Sequence, residues 1–278
     1  MTIALGTTFD GGAIVCADST VCASDGATSY ASKSFLGISA TRRMYAIANA
    51  CEDAYAARML GEEISDAISK AKEFVGIKKA IAAVMGSWYN GYKHIQPPQI
   101  QFIISLIQEG WSSAHLYYCE PPSTVAIGSP VAIGKGARAV EPVLDILRSV
   151  PHEKVDPRTA LLRISYLMQV AKRDEAAACG GDSFAIVIST GGGFTMVDLE
   201  ELKRAEELAR QLDQSFESAI RVITGGSAQA KYPYPESLEA TKESFKNHDS
   251  PSLKFMEKKF WKKNKKPRPA SGLGEKAE

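Results

Sequence analysis

Residues 2–19 read TIALGTTFDGGAIVCADS, and this stretch decides how the fold begins. Two short apolar segments, residues 2–9 and 13–17, flank the Asp-Gly-Gly sequence of residues 10–12. Glycine readily adopts the positive φ that a tight turn requires, and apolar segments on both sides of such a turn are typical of a β-hairpin. The stretch therefore predicts a β-sheet that starts at residue 2.

Thr2 raises a separate question, because only Met1 precedes it. If Met1 is removed, this threonine carries a free α-amino group beside its own hydroxyl. An α-amine has an ordinary pKa of about 7.7 to 8.0, so it can act near neutral pH as the base that activates the hydroxyl as a nucleophile. On this stretch alone an ordinary strand residue is the simpler interpretation, since threonine is common in strands.

Beyond this hairpin, groups of strands alternate with helices that come mostly in pairs. Further strands follow up to residue 49, with a loop rich in Ser, Asp and Gly among them. Beyond them, apolar residues spaced three and four apart predict helices in residues 51–74, 78–92, 137–150, 156–178 and 201–223. Segments with strand character lie between them, in residues 100–108, 112–119, 123–129, 182–190 and 194–199. Paired helices disfavour a doubly wound parallel sheet and favour antiparallel sheets covered by helical layers.

Composition indicates a globular protein. The chain has 278 residues, of which 45% are apolar, and this is enough for a large core. No apolar run reaches the roughly 18 residues of a membrane span, so we expect a cytoplasmic protein without membrane association. The five cysteines are scattered and lack paired CxxC spacing, which predicts reduced thiols, with Cys16 in the core.

The predicted domain comprises residues 1–225, and residues 226–278 form a polar, basic tail that we expect to be disordered. Residues 254–268 carry a net charge of +7, which leaves −6 for the rest of the chain. Such a segment has the charge and aromatic side chains to bind nucleic acid or an acidic partner. A solubilising end is the simpler interpretation.

Several kinds of site are excluded by their missing motifs. The four histidines lack the spacing of metal ligands, and no acidic cluster resembles a calcium loop. A complete GxGxxG fingerprint, a phosphate-binding P-loop and a GxSxG nucleophile elbow are absent. We therefore expect neither a metal nor a cofactor.

The N-terminal residues together resemble the start of mature proteasome β-subunits and of the bacterial protease HslV. Thr2 and Asp18 stand at the family's interval, and Lys33 falls one residue short of the family position. Further along, VAIGKGARAVEPVL (residues 131–144) resembles a family helix start, and KRDEAAACGGDSFAIVIS (residues 172–189) resembles a family turn and strand. The resemblance covers about residues 2 to 200.

This resemblance implies a four-layer αββα sandwich, in which two antiparallel sheets lie between helical layers, as in the N-terminal nucleophile hydrolases. It also implies a threonine peptidase. Thr2 would attack the peptide carbonyl, Lys33 would lower the pKa of the α-amine, and Asp18 would pair with Lys33. The backbone N–H of Asn49 or Ala50 would hold the oxyanion.

Supporting site residues match the family less well. Lys135 replaces the family serine after AIG, unless Ser129 fills that role. Cys179 stands where the family turn has serine, and Asp174 lies two residues too far from it unless the loop bulges.

The resemblance also implies a homo-oligomer, as a ring or a related assembly, which acts on proteins or peptides and has an ATP-dependent unfoldase as a possible partner. Removal of Met1 by an aminopeptidase would suffice for activation, and its retention would abolish the mechanism. Two alternatives stay open: the same fold acting on a small amide, and an inactive scaffold whose basic tail recruits a partner.

Overall fold

The computed structural model describes ten segments of the chain, which are residues 2–22, 28–30, 33–38, 43–71, 74–92, 96–108, 114–128, 130–149, 155–190 and 193–223. Met1, Ser129 and the predicted tail at residues 226–278 lie outside them, as does the predicted domain end at residue 225. The predictions that concern these residues therefore stay predictions.

The strands within the described residues are β1 (Ile3–Phe9), β2 (Gly12–Asp18), β3 (Thr20–Cys22), β4 (Thr28–Tyr30), β5 (Ser34–Ile38), β6 (Arg43–Cys51), β7 (Ile100–Gln108), β8 (His115–Glu120), β9 (Ser123–Ile127), β10 (Val131–Gly134), β11 (Ser183–Ser189) and β12 (Gly193–Met196). The helices are α1 (Ala54–Lys70), α2 (Phe74–Gly91), α3 (Ala137–Arg148), α4 (Pro157–Asp174) and α5 (Leu199–Ile223). Two helices follow the first group of strands and two follow the second, as the sequence pattern predicts.

The strands form two five-stranded sheets, with the orders β10-β1-β2-β11-β12 and β5-β6-β7-β8-β9. Every described strand pair is antiparallel, which confirms the predicted sheet type. The predicted loop after β2 differs from the structure in one respect, since β3 and β4 pair there as a small separate sheet. In this pairing Thr20 lies opposite Tyr30, and Val21 lies between Thr20 and Cys22 on β3. Threonine, valine and tyrosine all favour strands, which explains why both ends of the loop are extended.

Apolar clusters between the two sheets and on their outer faces hold the four layers together, and α1 and α2 cover the second sheet with residues such as Leu60 and Ile81. Side chains such as Val15 and Ile103 fill the space between the two sheets. On the outer face of the first sheet, α4 contributes Ile164 and Leu167 to a second cluster, which also contains Cys16, as predicted. Successive residues of a strand point to opposite faces, so the sheets bury both faces and need a helical layer on each side. The arrangement is the predicted αββα sandwich.

Aspartate side chains cap the starts of α1 and α4. The Asp53 carboxylate accepts hydrogen bonds from the backbone N–H groups of Tyr55 and Ala56 and so caps α1. Asp156 caps α4 in the same way, with Pro157 in the first turn, and this cap is the predicted one. Among the helices of the described segments, none combines the length and the apolar character needed to cross a membrane.

Candidate active site

Asp18 lies at the end of β2 with no exposed surface, and three donors surround its carboxylate. Oδ1 accepts hydrogen bonds from the backbone N–H of Ile3 at 3.2 Å and from Lys33 Nζ at 2.7 Å. Oδ2 accepts a hydrogen bond from the backbone N–H of Gly180 at 3.0 Å. A buried carboxylate with this many donors has one fixed orientation.

The Lys33 side chain is 1% exposed, although lysine is rarely buried to this extent. Its ammonium donates to the Asp18 carboxylate and to the backbone carbonyl of Thr20. Burial lowers the pKa of Lys33 below its ordinary value, while Asp18 acts in the opposite direction. The Asp18 carboxylate and the Thr20 carbonyl therefore hold the Lys33 ammonium at one position inside the molecule.

Thr2 precedes β1 directly and is fully buried. Its Oγ1 has no hydrogen-bond partner among the residues that the structure describes. The next residue, Ile3, donates its N–H to Asp18, so the same carboxylate that pairs with Lys33 also fixes the backbone beside Thr2. A buried hydroxyl without a partner is uncommon in proteins, and a catalytic role is one explanation for it.

Gly134 lies against the backbone of Thr2, and its φ is +90°. A Cβ at this position would overlap the carbonyl oxygen of Thr2 and lie 2.8 Å from the Cβ of Ala50. Both the conformation and the space therefore require glycine here. The backbone N–H of Gly134 donates to Gln101 Oε1 at 2.8 Å, which links the edge strand β10 to β7 of the other sheet.

Asn49 and Ala50 occupy the end of β6 beside Lys33. The backbone N–H and the side-chain Nδ2 of Asn49 donate to the carbonyl of Lys33 at 2.9 and 3.1 Å. Ala50 is opposite Gln101 in the register and lies close to Gly134. Both residues are thus near the Thr2 backbone or Lys33, and their predicted contact with an oxyanion stays a prediction.

Solved structures with a similar fold include Anbu proteins. Anbu of Yersinia bercovieri, described as an ancestral β-subunit, has a TM-score of 0.64 at 11% identity, with 84% of this chain and 98% of that chain covered. The fold is shared with Anbu. A Gly-1 mutant of Anbu from Hyphomicrobium sp. strain MC1 has a TM-score of 0.61 at 15% identity, with 78% of this chain and 97% of that chain covered.

Anbu of Pseudomonas aeruginosa, solved as a helical assembly, has a TM-score of 0.60 at 13% identity, with 79% of this chain and 96% of that chain covered. No protein-family model matches the chain, and no curated protein matches its sequence. At these identities the likeness to Anbu establishes the four-layer fold alone.

The supporting residues that the sequence suggested are dispersed. Cys179 is buried close to Gly136 and interacts electrostatically with Lys33. Lys135 is exposed beside Gly134. The carboxylate of Asp174 pairs with Arg173 at the surface end of α4, and Ser129 is outside the described residues. Cys179 directly precedes Gly180, whose backbone N–H donates to the Asp18 carboxylate.

Three residues of the site did not follow from the sequence. Thr20 contributes its carbonyl and Gly180 its N–H, so neither side chain carries a chemical signal. Gly134 acts through the space that its missing Cβ leaves for Thr2. The glycine pair at residues 180–181, directly before a strand, was the only available indication of a tight backbone approach.

Proposed function

We propose that the chain is a threonine peptidase that cleaves peptide bonds with Thr2 as its nucleophile after Met1 is removed. One observation carries this proposal: the buried, unpartnered Thr2 hydroxyl adjoins a backbone N–H bound by the carboxylate that also pairs with Lys33. Thr2 would then supply the nucleophile and, through its α-amine, the base, while Lys33 would supply the positive charge.

In the proposed reaction, Thr2 Oγ attacks the carbonyl carbon and its proton passes to the free α-amine. The Lys33 ammonium lowers the pKa of that amine, so the amine is unprotonated near neutral pH and ready to accept the proton. Asp18 keeps the ammonium in place through the 2.7 Å ion pair.

The tetrahedral intermediate then collapses. The C–N bond of the substrate breaks, the leaving amine takes the proton from the α-amine, and an ester to Thr2 remains. Water hydrolyses this ester and frees the hydroxyl. For the oxyanion, the proposal keeps the backbone N–H groups of Asn49 and Ala50 as donors; Asn49 would have to exchange its bond to the Lys33 carbonyl for one to the oxyanion.

We also propose that the chain works as a homo-oligomer in a proteasome-like assembly. The helical assembly of Anbu from Pseudomonas aeruginosa, which has the same fold, supports this. An ATP-dependent unfoldase partner and a preference for protein substrates stay predictions from the sequence resemblance.

The test begins with the intact mass of the purified protein, which should correspond to a chain without Met1. Thr2→Ala should lower the hydrolysis of fluorogenic peptides at least about a thousandfold. Thr7→Ala is the matched control, because Thr7 is a buried threonine of β1, the strand that Thr2 precedes, and this variant should keep its activity. Retained Met1, or full hydrolysis by the Thr2→Ala variant, would refute the proposal.

A further inference from the structure

Asn49 makes a two-point contact with a single backbone oxygen. Its N–H and its side-chain Nδ2 both donate to the carbonyl of Lys33, at 2.9 and 3.1 Å. The first bond continues the pairing of β5 with β6, whose register begins with Ser34 opposite Ala48. The second bond comes from the side chain and adds a donor that strand pairing does not require.

The orientation of the Asn49 amide follows from this contact. If Oδ1 and Nδ2 were exchanged, two acceptor oxygens would face each other at hydrogen-bond distance. Oδ1 is consequently turned away, and it is buried without a hydrogen-bond partner among the described residues. An unpartnered buried oxygen is unfavourable, so an apolar side chain of the same shape would suit a purely structural position better.

Lys33 is held at both ends by these contacts. Asp18 and the carbonyl of Thr20 bind its ammonium, while Asn49 binds its carbonyl. A lysine side chain has four rotatable carbon–carbon bonds, and a buried ammonium is useful only at a defined distance from its target. The second anchor fixes the backbone from which that side chain starts.

We propose that Asn49 is a positioning residue, whose side chain holds the Lys33 backbone so that the ammonium stays beside Asp18 and the α-amine of Thr2. Its consequence for catalysis rests on the proposed function. The sequence resemblance predicts a role for the backbone N–H of Asn49 at the oxyanion, whereas the positioning role belongs to the Asn49 side chain.

Among the described residues, the titratable groups that act electrostatically on Lys33 are the Asp18 carboxylate and the thiols of Cys51 and Cys179. Burial raises the pKa of Cys51 to about 11, so its thiol is neutral at working pH. The Lys33–Asp18 pair therefore supplies the charge near Thr2. If the ammonium moves away, the α-amine loses a neighbouring positive charge and holds its proton to a higher pH.

Asn49→Leu is the main variant, because leucine has nearly the shape of asparagine and removes both the Nδ2 donor and the unpartnered Oδ1. Asn49→Ala is the second variant. Ser105→Ala is the matched control, since Ser105 is fully buried in the same sheet and its hydroxyl donates to the carbonyl of Ala46 at 3.3 Å. All three are compared with the wild-type chain for thermal stability, peptide hydrolysis and lysine reactivity.

We expect Asn49→Leu to melt at or above the wild-type temperature, to lose about tenfold in kcat/KM and to shift the acidic limb of its pH profile to higher pH. Ser105→Ala should leave the position of that limb unchanged. A purely structural role for Asn49 predicts the opposite, which is an unmoved limb in both Asn49 variants. That result would overturn the inference.

A second measurement does not depend on activity. Acetylation of Lys33 by acetic anhydride, followed by mass spectrometry, should be slow in the wild type and several-fold faster in both Asn49 variants, but not in Ser105→Ala. If the wild type shows no Thr2-dependent hydrolysis, the proposed function fails and this measurement alone decides whether Asn49 positions Lys33. Equal acetylation rates in all variants would overturn the inference.

Discussion

The backbone N–H of Gly180 donates to the Asp18 carboxylate at 3.0 Å, although 162 positions separate the two residues in the chain. Asp18 ends a strand of the first hairpin, while Gly180 belongs to the turn between α4 and β11. The carboxylate beside Lys33 is thus oriented by two parts of the chain that are far apart in sequence. This dependence makes Asp18 the residue whose replacement should affect both stability and activity.

Replacing Asp18 with Asn should lower the free energy of unfolding by about 3 kcal/mol or more, because Lys33 then keeps a buried charge without its partner. Lys33→Met should lower it as well, and the double variant should be less destabilised than the sum of the two. Urea denaturation of the wild type, the two single variants and the double variant measures the four free energies of unfolding that the comparison needs. Asp66→Asn breaks an exposed pair with Lys70 and should cost less than about 1 kcal/mol. Strict additivity of the two buried changes would contradict a direct interaction.

Replacing Gly134 with Ala should destabilise the protein by about 2 kcal/mol or more and abolish peptide hydrolysis, since the new methyl group would displace the Thr2 carbonyl. Gly86→Ala is the control, because Gly86 lies in α2 and a Cβ there meets nothing within 4 Å. That helical change should stabilise the protein by up to about 1 kcal/mol. Equal melting temperatures for the two variants would show that the site tolerates the methyl group.

Alkaline pH should weaken the fold through its buried thiols, and Cys119 provides the test. Burial raises the pKa of Cys119 from 9.0 to about 12. The folded state therefore holds this proton more tightly than the unfolded state, so the contribution to stability is complete below pH 9 and is lost as the pH rises towards 12.

Between pH 8 and pH 10 the free energy of unfolding should fall by about 1 kcal/mol more in the wild type than in Cys119→Ala. Urea denaturation at the two pH values measures the difference. Parallel losses in both proteins would mean that the Cys119 thiol ionises as easily in the folded state as in the unfolded chain.

Gln101 should affect catalysis through Gly134. Its Oε1 accepts from the Gly134 N–H and its Nε2 donates to Tyr118 Oη at 3.1 Å, while Tyr118 in turn bonds Glu120. Gln101→Leu leaves the Gly134 N–H without this acceptor, so we expect kcat to fall several-fold while KM changes little. Gln211→Leu, at an exposed position of α5, should match the wild type in steady-state kinetics. An effect on KM alone would instead place Gln101 in substrate binding.

Much of the fold could be predicted because it depends on local patterns. The Asp-Gly-Gly turn gave β1 and β2, helical spacing gave the paired helices, and Asp156 with Pro157 gave the start of α4. These features follow from the residues themselves and their immediate neighbours, so no knowledge of the tertiary structure is needed to find them.

The site could be predicted only where a side chain carries the chemistry. Thr2, Asp18 and Lys33 have reactive groups, and the structure places the latter two 2.7 Å apart. The contribution of Gly180 is a backbone N–H, which every residue except proline possesses. Asp174 illustrates the converse, since its position near the glycine turn suggested the site, whereas its carboxylate pairs with Arg173 on the surface.

The long separation between Asp18 and Gly180 also governs when the site can exist. Closing a loop of this length costs more chain entropy than closing a short one, and the contact requires both the first hairpin and the turn after α4. A polypeptide that has not yet acquired the turn after α4 lacks the Gly180 donor, so Asp18 keeps only its bonds to Ile3 and Lys33. If the chain is the proposed peptidase, its activity should therefore appear only once the turn after α4 has joined the first hairpin.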